Sequence, residues 1–265
     1  MQLENEIAVV AHPSSLIPHP SKEWFKDWFN SPYYHLLYKN RDDAEAKRFI
    51  DRLLEHLHPQ LEAEILDLAC GKGRYSRYLA SKGFNVTGVD IAQESITFAQ
   101  QFENERLSFF VHDMRHPFRF NFFDYIFNFF TSFGYFESEK DHEKTIATIA
   151  KDLKPEGKFV LDFFNAKKVI RTLKREEVKQ VEAVTFFIRR SVDAQGYILK
   201  NIEFEDRGEV FSFTERVRAF TLEDFTGLFS KAGLKIAQTF GDYHLHPFDE
   251  IESDRLILIG CKTGC

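Results

Sequence analysis

The residues best suited to chemistry lie where two apolar stretches end, between positions 65 and 90. The first stretch, ILDLACGKG at residues 65–73, runs into a turn with two glycines. Glycine suits such a turn because the chain reverses sharply and because a ligand can approach bare backbone there. Asp90 ends the second stretch, 19 residues after Gly71. This spacing is expected for a carboxylate that accepts hydrogen bonds from both hydroxyls of a ribose.

A third polar strand end, HDM at residues 112–114, favours the same kind of site. Ligands of open α/β sheets bind at the carboxyl ends of the strands, so the three ends predict a nucleoside site. A dinucleotide fingerprint would have a third glycine where Ser76 stands. Asp67, just before the turn, would repel a pyrophosphate but suits an ammonium group. S-adenosylmethionine fits this pattern, because it joins adenosine to an ammonium and a sulfonium and has no phosphate.

The elements that must position these residues alternate along the chain. Short apolar strands and amphipathic helices alternate between residues 64 and 163, which predicts βαβ units and a parallel sheet. Among these elements are a helix at 93–102, with Phe102 on its inward face, and a fifth strand at 158–163.

After residue 170, apolar residues recur at every second position, which is typical of strands. The tight turns between these strands require antiparallel pairing. We therefore predict a small separate sheet that is inserted into the α/β unit. The predicted elements of this last part are strands at 181–190, 197–205 and 209–219, a helix at 221–232, and strands at 235–240 and 256–261.

The composition excludes several classes of protein. The chain has 265 residues and a net charge of −6, so a general binder of nucleic acid or of anionic membranes is not expected. No apolar stretch reaches the roughly 18 residues of a membrane span, and the acidic N-terminus lacks the apolar core of a signal peptide. Three cysteines are too few and too scattered for a disulfide framework or a zinc site. We therefore expect a cytoplasmic protein without a metal centre.

Taken together, the motifs resemble those of class I S-adenosylmethionine-dependent methyltransferases. The segments that are similar to the family's motifs are DLACGKG at 67–73, GVDI at 88–91, HDMR at 112–115, DYIFN at 124–128 and LKPEGKF at 153–159. The resemblance implies an α/β, Rossmann-like methyltransferase fold. Its central, mostly parallel sheet would have seven strands with the last strand antiparallel, and a small antiparallel β lid would be inserted.

The resemblance also assigns roles to residues of this site. Asp90 would bind the ribose diol, and Asp113 would accept a hydrogen bond from the adenine amine. Ile91 and Met114 would cover the two faces of adenine, and Asp67 would shape the loop near the cofactor ammonium. The cofactor-binding residues that the family pattern implies in the core are Asp67, Ala69, Gly71, Gly73, Asp90, Ile91, Asp113, Met114 and Asn128.

A second resemblance lies upstream, in YHLLYKNR at residues 34–41. It is similar to the N-terminal lid segment of small-molecule N-methyltransferases that act on amino sugars and glycine. By that resemblance Tyr34 and Tyr38 would line the cofactor, and Arg41 would pair with its carboxylate in a bidentate manner. NFFT at 128–131 departs from the Asn/Asp-Pro-Pro-aromatic motif of enzymes that methylate amides and base amines, which disfavours such targets.

The motifs lead to a functional prediction: a methyltransferase that acts on nitrogen or oxygen of a small molecule. A neutral amine needs no general base, whereas for a hydroxyl acceptor Tyr135 and His244 are the candidate catalytic residues. We expect a monomer or homodimer with no nucleic-acid or membrane partner. One alternative is an NAD(P)-dependent Rossmann oxidoreductase, which Asp67 and Ser76 disfavour. Another is a catalytically silent protein that binds S-adenosylmethionine as the partner of an enzyme.

The expected organisation of the chain has four parts. They are an N-terminal arm and helical lid at 1–58, a cofactor-binding core at 59–170, the inserted β lid at 171–220, and the completion of the core sheet at 221–265. The insertion begins after the fifth strand, whose carboxyl end lies on the cofactor side of the sheet. We therefore expect the lid to cover that edge and to narrow access to it.

Overall fold

The computed structural model describes residues 23–39 and 43–262. The strands of its central sheet are β1 (Glu64–Leu68), β2 (Asn85–Asp90), β3 (Leu107–Val111), β4 (Phe123–Asn128), β5 (Leu153–Phe164), β10 (Leu234–Phe240) and β11 (Arg255–Lys262). They are ordered β10-β11-β5-β4-β1-β2-β3. All neighbours are parallel except that β11 runs antiparallel to both β5 and β10. The predicted sheet, with seven strands and an antiparallel last strand, is confirmed.

Helices cover both faces of this sheet. The described helices are α1 (Trp24–Asn30), α2 (Pro32–Leu37), α3 (Asp43–Leu57), α4 (Arg74–Ser81), α5 (Gln93–Ala99), α6 (Glu139–Asp152), α7 (Ala166–Arg171) and α8 (Leu222–Lys231). Helices α3, α4 and α5 bury side chains such as Phe49 and Leu79 against one face. Helices α6 and α8 bury side chains such as Ile146 and Phe225 against the other. Strand residues alternate between the two cores, as Ile65 and Leu66 do, so the sheet is buried on both sides.

Two boundaries differ from the sequence prediction. A single helix was expected at 93–102, but α5 ends at Ala99 and a 3₁₀ turn follows at Gln100–Phe102. Phe102 therefore does not point into the core and is 36% exposed. Strand β5 begins at Leu153 rather than at Lys158, because the LKPEG segment already pairs with β4 at its first residue. In the described part of the chain, no helix is both long and apolar enough to span a bilayer.

The inserted sheet has four strands where three were predicted. They are β6 (Glu176–Val181), β7 (Val184–Val192), β8 (Tyr197–Asp206) and β9 (Glu209–Arg218), paired in that order and all antiparallel. The prediction missed β6 because EEVKQV carries few apolar residues. The connection from β6 to β7 has only two residues, and the first of them, Glu182, adopts φ +54°. Such a tight reversal is typical of a hairpin.

The inserted sheet lies near the carboxyl end of β4 and packs against the first two helices. Arg218 donates a backbone hydrogen bond to Gly134 O at 2.8 Å, and the Tyr197 hydroxyl donates to Phe136 O at 3.1 Å. Its inner face forms one apolar cluster with α1 and α2, in which Trp28 packs with Phe186 and Ile202. The inserted sheet therefore lies at the carboxyl edge of the central sheet, and its role as a cover of the cofactor stays a prediction. The contact of the sheet with that edge, however, runs through α1 and α2 and through the segment after β4.

Candidate functional site

A cavity of about 420 Å³ opens at the carboxyl ends of β1, β2, β3 and β4. Its volume lies within the range of small-molecule sites, about 300–1,000 Å³. Helices α1 and α2 cover it with side chains such as Phe29 and His35. The cavity brings together most of the predicted residues: Tyr34, Tyr38, Asp67, Ala69, Gly71, Asp90, Ile91, Asp113, Met114 and the candidate catalytic residue Tyr135.

Three of the predicted residues that the structure describes do not line the cavity. Gly73 and Asn128 lie beside the cavity without lining it. Asn128 is fully buried and donates a hydrogen bond from Nδ2 to Leu68 O at 2.9 Å, so its side chain ties β4 to the end of β1. His244 is exposed, in the loop between β10 and β11, and is not a wall residue of the cavity. Arg41 falls outside the described residues.

The two glycines of the turn serve different purposes. Both adopt a left-handed backbone, with φ +55° at Gly71 and +70° at Gly73. A Cβ on Gly73 would come within 2.4 Å of the Phe109 ring, whereas a Cβ on Gly71 would meet no atom of the described residues within 4 Å. Gly71 therefore leaves room for a ligand, as predicted. Gly73 is required by packing against β3, and its contact with a ligand stays a prediction.

Asp90 connects the end of β2 to the glycine turn through hydrogen bonds. Its Oδ2 accepts a hydrogen bond from Gly71 N and its Oδ1 accepts one from Ala92 N, both at 2.8 Å. Burial raises its pKa, and the two backbone donors oppose that effect. A carboxylate has about four acceptor positions, so each oxygen still has a lone pair to offer. The side chain lines the cavity with both oxygens already oriented.

Asp67 is held by the serine that replaces the third glycine of a dinucleotide fingerprint. The Ser76 hydroxyl, on α4, donates to Asp67 Oδ2 at 2.5 Å, and both side chains are buried. Burial raises the pKa of Asp67 to about 6, although the bond from Ser76 opposes this. No cationic side chain among the described residues pairs with this carboxylate. A ligand with an ammonium group would supply a cationic partner.

Asp113 is tied to the mouth of the cavity by an arginine that the sequence prediction did not single out. Arg115 contacts both Asp113 oxygens, and its Nη2 also donates to Glu23 Oε1 at 2.6 Å, just before α1. Burial tends to raise the pKa of Asp113, but the hydrogen bonds from Arg115 lower it below its usual range. The carboxylate is therefore ionised and fixed at the carboxyl end of β3.

The wall formed by residues 129–132 has an unusual backbone. Phe130 and Thr131 adopt φ +56° and +61°, a region that non-glycine residues rarely occupy. Buried Asp162 holds this wall, because Oδ2 accepts from Phe130 N at 2.9 Å and Oδ1 accepts from Arg255 Nε at 2.7 Å. The sequence contained a signal for this anchor: Asp162 is a charged residue within the apolar strand FVLDFF. Strained backbone of this kind is concentrated at functional sites.

The candidate base Tyr135 belongs to a group of aromatic side chains that cover the cavity, together with Phe29 of α1 and Tyr34 of α2, and we call this group the roof. Its ring packs edge-on against Trp24 and Phe29 of α1, with ring centroids 5.6 and 5.3 Å apart. Its hydroxyl donates to Thr131 O, in the strained wall. The geometry thus places Tyr135 at the cavity and engages its proton with backbone. Its use as a base stays a prediction.

Comparison with known proteins agrees with this geometry. Residues 66–161 match the sequence model of a family described as "Methyltransferase domain". The putative methyltransferase YqeM of Bacillus subtilis is 28% identical over 194 residues, which cover 69% of this chain and 77% of that protein. An S-adenosylmethionine-dependent methyltransferase from Clostridium acetobutylicum superimposes with a TM-score of 0.72 at 22% identity, over 88% of this chain and 96% of that chain. CalS10 is an amino pentose methyltransferase from Micromonospora echinaspora that was solved with S-adenosylmethionine bound. It superimposes with a TM-score of 0.66 at 20% identity, over 88% of this chain and 98% of that chain.

The fold is therefore the Rossmann-like fold of class I methyltransferases. Within it, residues 66–161 match the model of a methyltransferase domain, in agreement with the resemblance that the motifs showed. The family match and the structural neighbours support S-adenosylmethionine as the cofactor. They do not favour the NAD(P)-dependent oxidoreductase, in agreement with the buried bond between Ser76 and Asp67.

Proposed function

We propose that this protein transfers a methyl group from S-adenosylmethionine to a nitrogen or oxygen atom of a small molecule. The observation that carries the proposal is the convergence of Asp67, Asp90 and Asp113 on one cavity, with the bare backbone of Gly71 between them. The three carboxylates come from the ends of three neighbouring strands, β1, β2 and β3. Their spacing along the edge suits an extended ligand with polar groups at both ends.

Three polar groups of the cofactor have a fitting partner on this edge. The free lone pairs of Asp90 suit the ribose diol, and Asp113, fixed by Arg115, suits the adenine amine. Asp67, whose pKa is raised by burial, suits the ammonium group, which would stabilise its ionised form. Ile91 and Met114 line the same cavity and suit the adenine faces.

The covering of the cavity supports a small acceptor. Helices α1 and α2 lie over the strand ends, and their aromatic side chains meet the wall after β4, where Phe29 contacts Tyr135. Such a roof excludes water and leaves limited room, which favours a small molecule over a folded protein or a nucleic-acid duplex. The likeness in fold to CalS10, an amino pentose methyltransferase, is consistent with this class of acceptor.

The bound cofactor supplies an electrophilic methyl group on a sulfonium, which is already a good leaving group. The protein's part is to orient the two reactants and to exclude water from them. The strained Phe130 and Thr131 backbone, held by Asp162, fixes one wall for this purpose, and the ring of Tyr135 fixes another. A neutral amine acceptor needs no further group, whereas a hydroxyl acceptor would need a base within hydrogen-bond reach.

Turnover with candidate acceptors tests the proposal. Purified protein and S-adenosylmethionine are incubated with amino sugars, small amino acids and phenols, and release of S-adenosylhomocysteine is measured. We expect release with at least one small amine or hydroxyl compound, and none from the Asp90→Ala variant. Methylation of RNA or of protein but of no small molecule would refute the small-molecule acceptor. Tight binding of S-adenosylhomocysteine without turnover on any substrate class would favour the silent binding protein.

A further inference from the structure

One acidic side chain of the inserted sheet joins the two helices that cover the cavity. Glu215, on β9, accepts a hydrogen bond from Trp28 Nε1 of α1 at 2.8 Å. It also accepts one from the Tyr38 hydroxyl, just after α2, at 2.7 Å. The Lys200 ammonium, on β8, contacts the Tyr38 hydroxyl and lies 3.6 Å from Glu215 Oε2. The carboxylate is thus the common partner of three elements.

Glu215 stands where an apolar residue would pack more easily. The inner face of β9 presents Phe211, Phe213, Glu215 and Val217 in alternation, and the glutamate side chain is only 15% exposed. A carboxylate in such a place loses most of its hydration, a cost that only specific hydrogen bonds offset. Among the described residues, Trp28 and Tyr38 donate hydrogen bonds to Glu215, and Lys200 is its ion-pair partner. The role of Glu215 therefore lies in fixing the side chains of Trp28 and Tyr38.

Tyr38 belongs to this cluster and to the cavity wall at once. Of the residues that the structure describes, none between 171 and 220 lines the cavity. The inserted sheet can therefore influence the cavity only indirectly, through the helices that pack on it and through the segment after β4.

Other polar contacts also join the helices to the sheet, since the Tyr33 hydroxyl donates to Asp206 and the Lys179 ammonium donates to Leu37 O. Lys39, after α2, also pairs with Glu182. Among these contacts of the described residues, Glu215 is the one that reaches both α1, through Trp28, and the end of α2, through Tyr38.

We propose that Glu215 is a positioning residue, which fixes Tyr38 and Trp28 so that α1 and α2 close over the cofactor. The inference rests on the proposed function, because it assumes that S-adenosylmethionine occupies the cavity. It assigns the inserted sheet the role of a support for the roof, in place of direct cover for the substrate. In this account Glu215 contacts neither cofactor nor acceptor and acts through Tyr38.

Titration calorimetry with S-adenosylhomocysteine tests this role. Glu215→Gln keeps the size of the side chain but removes the charge and places an amide near the Lys200 ammonium. We expect its dissociation constant to rise about tenfold, the order of one lost charge-assisted hydrogen bond. Glu203→Gln makes the same chemical change on the exposed face of β8 and should bind as the wild type does. An unchanged dissociation constant for Glu215→Gln would overturn the proposal.

A double-mutant cycle separates positioning from a general loss of stability. Tyr38→Phe removes the hydroxyl that Glu215 holds, so the double variant should bind about as weakly as the weaker single variant. Strictly additive effects would show that Glu215 does not act through Tyr38. Should Glu215→Gln fail to fold, Tyr38→Phe alone must weaken binding, and wild-type affinity would overturn the inference. Absence of any binding to the wild-type protein would instead refute the proposed function, and the inference with it.

Discussion

Replacing Asp67 with asparagine tests how the ligand-free site is built. Burial raises the pKa of Asp67 to about 6, against an ordinary value of 3.8. Asparagine has nearly the same shape, and its amide oxygen can still accept the hydrogen bond from Ser76. The substitution therefore removes a buried charge and leaves the surrounding packing in place.

The sign and size of the effect follow from this pKa. A carboxyl group whose pKa is higher in the folded state lowers the free energy of unfolding as pH rises from about 4 to about 6, with no further change above. The gap between 3.8 and about 6 corresponds to about 3 kcal/mol at pH 8. Without ligand, Asp67→Asn should be more stable than the wild type by up to that amount. The difference should grow by about 1–2 kcal/mol between pH 5 and pH 8.

Urea unfolding at pH 5, 6, 7 and 8 measures this difference. Asp254→Asn, which changes a carboxylate that is 78% exposed, is the matched control and should show a small difference that does not depend on pH. Affinity should change in the opposite direction: at pH 8, Asp67→Asn should bind S-adenosylhomocysteine more weakly, because the ammonium group loses its carboxylate. A stability difference of equal size at pH 5 and pH 8 would refute the account of Asp67.

Other substitutions probe the turn and the core. Gly73→Ala should destabilise the protein by about 3 kcal/mol, because its methyl group meets the Phe109 ring in a left-handed backbone. Gly71→Ala should cost only about 1–2 kcal/mol in urea unfolding but should abolish calorimetric binding of S-adenosylhomocysteine, and the reverse pattern would contradict the two assigned purposes. Burial lowers the pKa of His142 to about 4, so stability is lost as pH falls from about 6.5 towards 4. His142→Phe should reduce the loss of unfolding free energy between pH 7.5 and pH 5 by about 2 kcal/mol, and an unchanged loss would contradict this.

The sequence was sufficient to predict the cofactor edge because that edge is encoded locally. Each of its carboxylates lies within two residues of the carboxyl end of an apolar strand, and Gly71 lies 19 residues before Asp90. Strand β6 escaped prediction because EEVKQV has few apolar residues, and the structure pairs it with β7 along its whole length. Where local periodicity is weak, pairing with a neighbouring strand decides the structure.

The residues that hold the site in place could not be predicted, because their partners are distant in sequence. Asp162 meets Arg255, and Arg115 meets Glu23, only after the chain has folded. Ser76 was interpreted as a weakened glycine position, yet its hydroxyl proves to be the partner of Asp67. In each case the sequence showed a polar residue in an apolar or glycine-rich context, without showing which atom it would reach.

The most direct test of the central claim is calorimetric titration of S-adenosylhomocysteine into the wild-type and Asp90→Ala proteins. Two hydrogen bonds to a charged acceptor, each worth about 1.5–3 kcal/mol, predict at least a hundredfold loss of affinity in the variant. Asp124→Ala is the matched control, because Asp124 also accepts a backbone hydrogen bond, from Glu64 N at 2.9 Å, but lies at the opposite edge of the sheet. It should bind as the wild type does. Equal affinity of the Asp90→Ala and wild-type proteins would contradict the assignment of this cavity as the cofactor site.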